Sequence, residues 1–214
     1  MRYALTWRGV NVGEALMDVH QTPFGLHRRF IVESTGLAGR LKKVEYRIES
    51  VPEPAGITVR KFIRDRGFQQ TDKLILSEGY ARWYEQGAEK PLVYELPEDV
   101  TDYVSLLQNL RGDVPLNPGE TREVMLALDG GLHDLQLEAV RKEFIQANGS
   151  NTPAIFHELE TTSDILFSRN MPRGFWLSTR HNLILRMQIQ SQHGTVMANL
   201  VEWQRDGKDI DWRE

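Results

Sequence analysis

Apolar and polar residues alternate in twos along most of this chain, and that period predicts strands rather than helices. Tyr3, Leu5 and Trp7 fall on one face of an opening strand, with Arg2, Thr6 and Arg8 on the other. The same rhythm runs through Val44-Glu45-Tyr46-Arg47-Ile48-Glu49, Ile57-Thr58-Val59-Arg60 and Arg122-Glu123-Val124-Met125-Leu126. It returns over 183–189, where Leu183, Leu185, Met187 and Ile189 face one way and Arg186 and Gln188 the other. Roughly ten to twelve strands are expected at this spacing. Gly9-Val10-Asn11-Val12-Gly13, Asp129-Gly130-Gly131, Asn148-Gly149-Ser150 and His193-Gly194 read as the reversals between them, because Gly, Asn and Asp tolerate the positive φ of tight turns. Short connections favour antiparallel neighbours. The residues therefore predict a mainly β chain built as a meander, sandwich or barrel.

One segment changes period. Over 100–110 the apolar residues are Val100, Tyr103, Val104, Leu106, Leu107 and Leu110, which is helical spacing. Asp99 is the expected N-cap, Asp102 suits the positive end of the helix dipole, and Gly112 ends the helix. A weaker helical turn is expected over 37–43. The Pro-rich stretch 51–56 is too short to divide the chain, so one domain is expected over 1–203. A charged tail follows over 204–214, expected to fray unless Trp212 ties it down.

Composition narrows the classes. Of 214 residues, 40% are hydrophobic and 26% charged, which excludes wholesale disorder. A net charge of −4 gives no basic excess for nucleic acid or for anionic lipid heads. There is no cysteine, hence no disulfide and no thiolate metal site. No stretch approaches the ~20 apolar residues of a membrane-spanning helix. The start, Met1-Arg2-Tyr3-Ala4-Leu5-Thr6-Trp7, has no apolar signal core. That leaves a cytoplasmic protein or a mature chain without its export signal.

Candidate chemistry is sparse. His20, His27, His133, His157, His181 and His193 show no zinc-ligand spacing, and no metal or cofactor is expected. His157 alternates with Leu159 and reads as a packed histidine. Ser178-Thr179-Arg180-His181 places hydroxyls beside a histidine, but as turn chemistry. Glu158 and Glu160 share a strand face and read as a solvated edge. Gly36-Leu37-Ala38-Gly39 lacks the finish of a phosphate loop. No catalytic residue is expected. Arg60, Phe62, Arg64 and Arg66 share one strand face, either as an anion stripe or as solvated side chains covering apolar surface. The large aromatics Tyr3, Trp7, Tyr46, Trp83, Tyr84, Tyr94, Tyr103 and Trp176 belong to the core or line a groove for an apolar or glycan ligand.

Several blocks together resemble a bacterial cell-envelope family known as domain of unknown function 3108. They are Tyr3-Ala4-Leu5-Thr6-Trp7-Arg8-Gly9-Val10-Asn11-Val12-Gly13-Glu14-Ala15, Ser34-Thr35-Gly36-Leu37 with Tyr46-Arg47-Ile48-Glu49-Ser50, and the helix with Asp102, Ser105 and Leu110-Arg111. Pro115-Leu116-Asn117-Pro118-Gly119-Glu120-Thr121, Phe175-Trp176-Leu177-Ser178 and Gly194-Thr195-Val196-Met197-Ala198-Asn199-Leu200 complete the likeness. The chain departs from the family at Thr179-Arg180-His181-Asn182-Leu183-Ile184, where members often carry an acidic pair and then Pro. The resemblance implies a rolled antiparallel sheet, an open half-barrel similar in outline to periplasmic lipoprotein carriers, with one short helix. It implies export to the periplasm and supplies no activity.

The resulting expectation is a non-enzymatic periplasmic protein holding an apolar or glycolipid envelope component against its curved sheet. Trp7, Tyr46, Phe62, Trp83, Tyr103 and Trp176 are the expected wall. A protein–protein module of envelope assembly, using a sheet edge or apolar patch, is the second reading. A hydrolase built where His157, His181 or carboxylates converge is the third.

Overall fold

A computed structural model describes residues 1–41, 43–65, 67–112, 116–147, 149–161, 172–191 and 194–211. The first half is an up-and-down run: β1 (Arg2–Trp7), β2 (Val10–Thr22), β3 (Gly25–Ser34), β4 (Val44–Glu53), β5 (Gly56–Asp65), β6 (Phe68–Ser77), β7 (Tyr80–Tyr84) and β8 (Leu92–Glu95). The second half holds β9 (Val100–Asp102), β10 (Thr121–Leu128), β11 (Gly131–Ala147), β12 (Ser150–Thr161), β13 (Pro172–Ser178), β14 (Ile184–Ser191) and β15 (Gly194–Glu202). All fifteen form one sheet, in which β1 pairs with both β2 and β15, so the two ends of the chain are zipped together mid-sheet. Every pairing is antiparallel except β9 with β10. The edges of the sheet are β8 and β9, and the sheet is not closed. This is the mainly β architecture that the alternation predicts and the rolled, open sheet that the family resemblance implies, with more strands than expected.

Among the described residues there are two helices rather than one. A short α1 (Gly36–Leu41) joins β3 to β4 at the expected helical turn. The other, α2 (Tyr103–Gly112), packs on β3 and β4 from one half and on β9 and β10 from the other, so it occupies the lumen of the roll. Tyr103, Val104, Leu106, Leu107 and Leu110 are buried there among Phe30, Ile48, Leu126 and Met187. The Phe30 and Tyr103 rings meet edge-on at 6.5 Å. Tyr3 adds a lumen hydrogen bond, its hydroxyl donating to the Ile184 carbonyl at 3.1 Å.

The start of α2 differs from expectation. Val100–Asp102 is strand, and Asp102, not Asp99, is the cap. Its carboxylate accepts the Val104 and Ser105 N–H groups at 3.0 Å each, the Ser50 hydroxyl at 2.8 Å and the Ser105 hydroxyl at 2.5 Å. A buried carboxylate with four donors satisfies the orphan N–H groups of the first turn more fully than an exposed Asp99. Val100 fits the helical spacing only because strand and helix share an inward side where they join.

A bulge in β11 between Ala139 and Arg141 reverses its faces. Before it, Leu135, Leu137 and Ala139 point inward. Beyond it, Arg141, Glu143, Ile145 and Ala147 share the outer face with Phe156 and, across β13, Trp176. In the tail, Gln204–Arg205 and Lys208–Asp209 form a small hairpin instead of fraying. Trp212 lies outside the described residues.

Candidate functional site

The open seam between the two sheet edges is where the fold leaves chemistry exposed. At the upper end, where the Asp129-Gly130 turn joins β10 to β11, the halves are clasped. The Lys61 ammonium of β5 reaches across to the Asp129 carboxylate, with Asp72 at 3.8 Å and the Trp83 ring centroid at 5.6 Å. All three charged side chains are under 5% exposed. Asp72 also accepts the Gln70 amide at 2.8 Å and the Gln86 N–H at 3.1 Å. Gly130 has φ +80°, and a Cβ there would stand 2.9 Å from the Trp83 ring. Burial and the Asp129 charge push the nearby Tyr94 hydroxyl up to about 12.

Lower down the seam is open. The β9 ladder reaches only Met125–Ala127, which leaves Thr121 to Val124 of β10 without a strand on that side among the described residues. Between this edge and α2 lies a 140 Å³ pocket lined by Leu106, Asn109, Leu110, Arg122, Val124 and Leu137. It adjoins a groove of 690 Å³ over β10, β11 and β12, walled by Pro97, Met125, Leu135 and Gln136. Five carboxylates line that groove, from Glu98, Asp99, Glu123, Asp134 and Glu160, and among the described residues no basic side chain does. The foot of β10 is fixed by a turn in which Asn117 donates from its backbone to Glu120 at 2.7 Å. Gly119 N–H and Glu120 C=O bond to Ala139, 2.7 and 3.0 Å, beside the β11 bulge.

The six expected wall aromatics divide. Trp83 and Tyr103 are buried inside, Tyr46 packs half-buried on the same core, and Trp7 stands half-buried at the upper end of β1. Phe62 falls on the face opposite Lys61 with Arg64 against its ring, so it points away from the lumen. Trp176 is also on the outer face, where its ring meets Phe156 at 4.6 Å between Arg141 and Arg186. Its indole N–H donates to Glu143 at 2.7 Å, and this bond, ahead of the Arg141 pair, holds the Glu143 carboxyl below its usual range. None of the six lines the seam groove.

The remaining candidates are dispersed. Arg60 and Arg64 pair with Glu53 and Glu45 on β4, at 3.9 and 3.3 Å, as a solvated face; Arg66 lies outside the described residues. His157 is buried beside Leu159, bonded to the Ile155 carbonyl, and burial lowers its pKa. His181 sits on the β13–β14 turn with its ring 6.2 Å from that of Trp203, while Ser178 Oγ accepts the Arg180 and His181 N–H groups. Glu158 and Glu160 are exposed, and Glu160 belongs to the groove. Among the described residues no three His, Asp or Glu side chains gather as a cation site.

An antiparallel sheet rolled around one helix and left unclosed along a single seam defines an open, barrel-like β protein. The chain belongs to the family described as "Protein of unknown function (DUF3108)", whose profile matches residues 2–201. It is also similar in fold to the crystal structure of a beta-barrel-like protein of domain of unknown function DUF1849 from Brucella abortus. The two are 9% identical, the match covers 94% of each chain, and the TM-score is 0.58. No curated protein matches the sequence.

Proposed function

We propose that this is a non-enzymatic protein of the bacterial cell envelope, exported to the periplasm, that binds an apolar or glycolipid component or a partner protein along its lower seam. The carrying observation is the 690 Å³ groove that meets, at the β10 edge, a pocket floored by Leu106, Leu110, Val124 and Leu137. Concave, partly apolar sites with a few converging polar groups are the usual seats of ligands. The lumen itself holds α2 and the core side chains, so the seam offers the room that the middle of the roll does not. The hydrolase reading lacks comparable support, since His157 is buried inside and His181 lies on a turn. The envelope location rests on the family resemblance.

Native mass spectrometry of protein isolated gently from periplasm tests the reading. A parallel sample carries Asn109→Trp, which puts an indole into the pocket from an exposed helix position. A lipid or peptide adduct on the unaltered protein, lost from the variant, is the expected result. Bare protein in both samples, or adducts retained equally by both, would sink the seam. Recovery of the native protein in the cytoplasmic fraction would remove the periplasmic assignment.

A further inference from the structure

We infer that the occupant of the seam is an extended basic polypeptide strand, alternating cationic and aliphatic residues, that adds to the edge of β10 left uncovered among the described residues. The inference rests on the seam reading above and narrows its ligand to one class. Three features on the same stretch carry it.

The first is the backbone. Glu120 C=O is committed to the Ala139 N–H of β11. Strand groups alternate sides, so the main-chain groups of Thr121 and Glu123 face the open edge. Main-chain bonding to an exposed edge is the general mode of strand addition. The second is the pocket. Its 140 Å³ lies just behind that edge, half-open, with an apolar floor and polar walls from Thr101, Asn109 and Arg122. That volume suits one aliphatic side chain of an added strand, its tip against Leu106, Leu110, Val124 and Leu137 and its stem between Asn109 and Arg122.

The third is charge. Glu98, Asp99, Glu123, Asp134 and Glu160 are all exposed and line the groove with no base beside them among the described residues, Arg122 lying in the pocket behind the edge. Such a field attracts Lys and Arg and repels the phosphate of an anionic lipid. A two-residue period in the incoming strand presents aliphatic side chains to the pocket and cationic ones to this rim. The same pattern on an acidic strand places like charges together.

A fluorescein-labelled (Lys-Val)4 peptide is the probe, with (Glu-Val)4 and an alternately N-methylated (Lys-Val)4 as controls. Anisotropy should show the basic peptide binding at least tenfold tighter than either control, with affinity falling as salt rises. Hydrogen exchange should slow at Thr121 and Glu123. The Glu123→Gln/Asp134→Asn/Glu160→Gln variant, altered only at exposed positions, should keep its fold by circular dichroism and lose at least tenfold in affinity. Equal binding of the N-methylated peptide, or protection confined to other strands, overturns the inference. If phosphatidylethanolamine micelles and not the peptide protect Thr121 to Val124, the strand falls and the seam reading stands. If neither protects this edge, both fall.

Discussion

The two ends of one seam are built by opposite means. At the upper end a cation and two carboxylates are withdrawn from water to clasp β5 and β6 to the β10–β11 turn. At the lower end five carboxylates stand in solvent around a strand edge that nothing described covers. Charge of the same kind serves closure where it is buried and paired, and availability where it is exposed. Removing single charges at each end is the direct way to break the comparison.

The largest effect is expected at the clasp. Lys61→Met keeps most of the side-chain volume but leaves Asp72 and Asp129 buried without their cation. Loss of one partner from a buried ion cluster typically costs about 3–5 kcal/mol. Urea unfolding should show a destabilisation of that order, and adding Asp72→Asn and Asp129→Asn to the same chain should recover much of it. A change below about 1 kcal/mol would mean that the halves are held by α2 and the β1–β15 zipper alone.

Asp102 lies between the two ends, and its loss should cost somewhat less. Asp102→Ala removes the α2 cap and leaves the buried Ser50 and Ser105 hydroxyls without their acceptor. A lost cap costs about 1 kcal/mol, and each stranded hydroxyl adds a comparable amount, so roughly 3 kcal/mol is expected from the unfolding midpoint. Asp102→Asn retains a capping oxygen and should give back most of that. At the open end, Glu123→Gln should move stability by no more than about 0.5 kcal/mol, as for exposed substitutions generally. A larger loss would show that the carboxylate closes the seam instead of lining it.

The strands were readable because their signal is local, each inward side chain two residues from the next, whereas the roll came from the family resemblance. The clasp was equally present in the pattern. Lys61 shares its parity with Ile57, Val59 and Ile63, and Asp72 shares that of Leu74 and Leu76. A charge on an apolar parity marks a buried pair, but pairing Lys61 with Asp129 across the seam requires knowing how the sheet rolls. The outward positions of Phe62 and Trp176 teach the converse. Phe62 alternates with inward residues, so its side was legible, whereas aromatic size alone suggested a wall. Trp176 lies on a strand whose two faces are both buried, so composition did not show which one met the lumen. The groove carboxylates come from the β8–β9 link and from β10, β11 and β12, and no spacing in the chain brings them together.

The smallest effect sharpens the question of whether the open edge is held ready. The turn before β10 fixes where that edge begins, and Glu120 is held below the usual carboxyl range first by the Asn117 backbone N–H and then by its side-chain amide. Asn117→Ala removes only the second bond, so the Glu120 pKa should rise while staying under its ordinary value. A depressed folded pKa contributes stability that is present above the unfolded pKa, near 4.3 for Glu, and is lost as pH falls through the folded one. The stability difference between the two proteins should therefore be constant from neutrality down to about pH 5. It should then shrink as the solution becomes more acidic. Carboxyl-carbon NMR titration reads the pKa directly, and hydrogen exchange at Thr121 reports whether the edge loosens with it. An unchanged Glu120 titration would assign the whole shift to the backbone bond, and would leave the foot of β10 to the Gly119 and Ala139 contact.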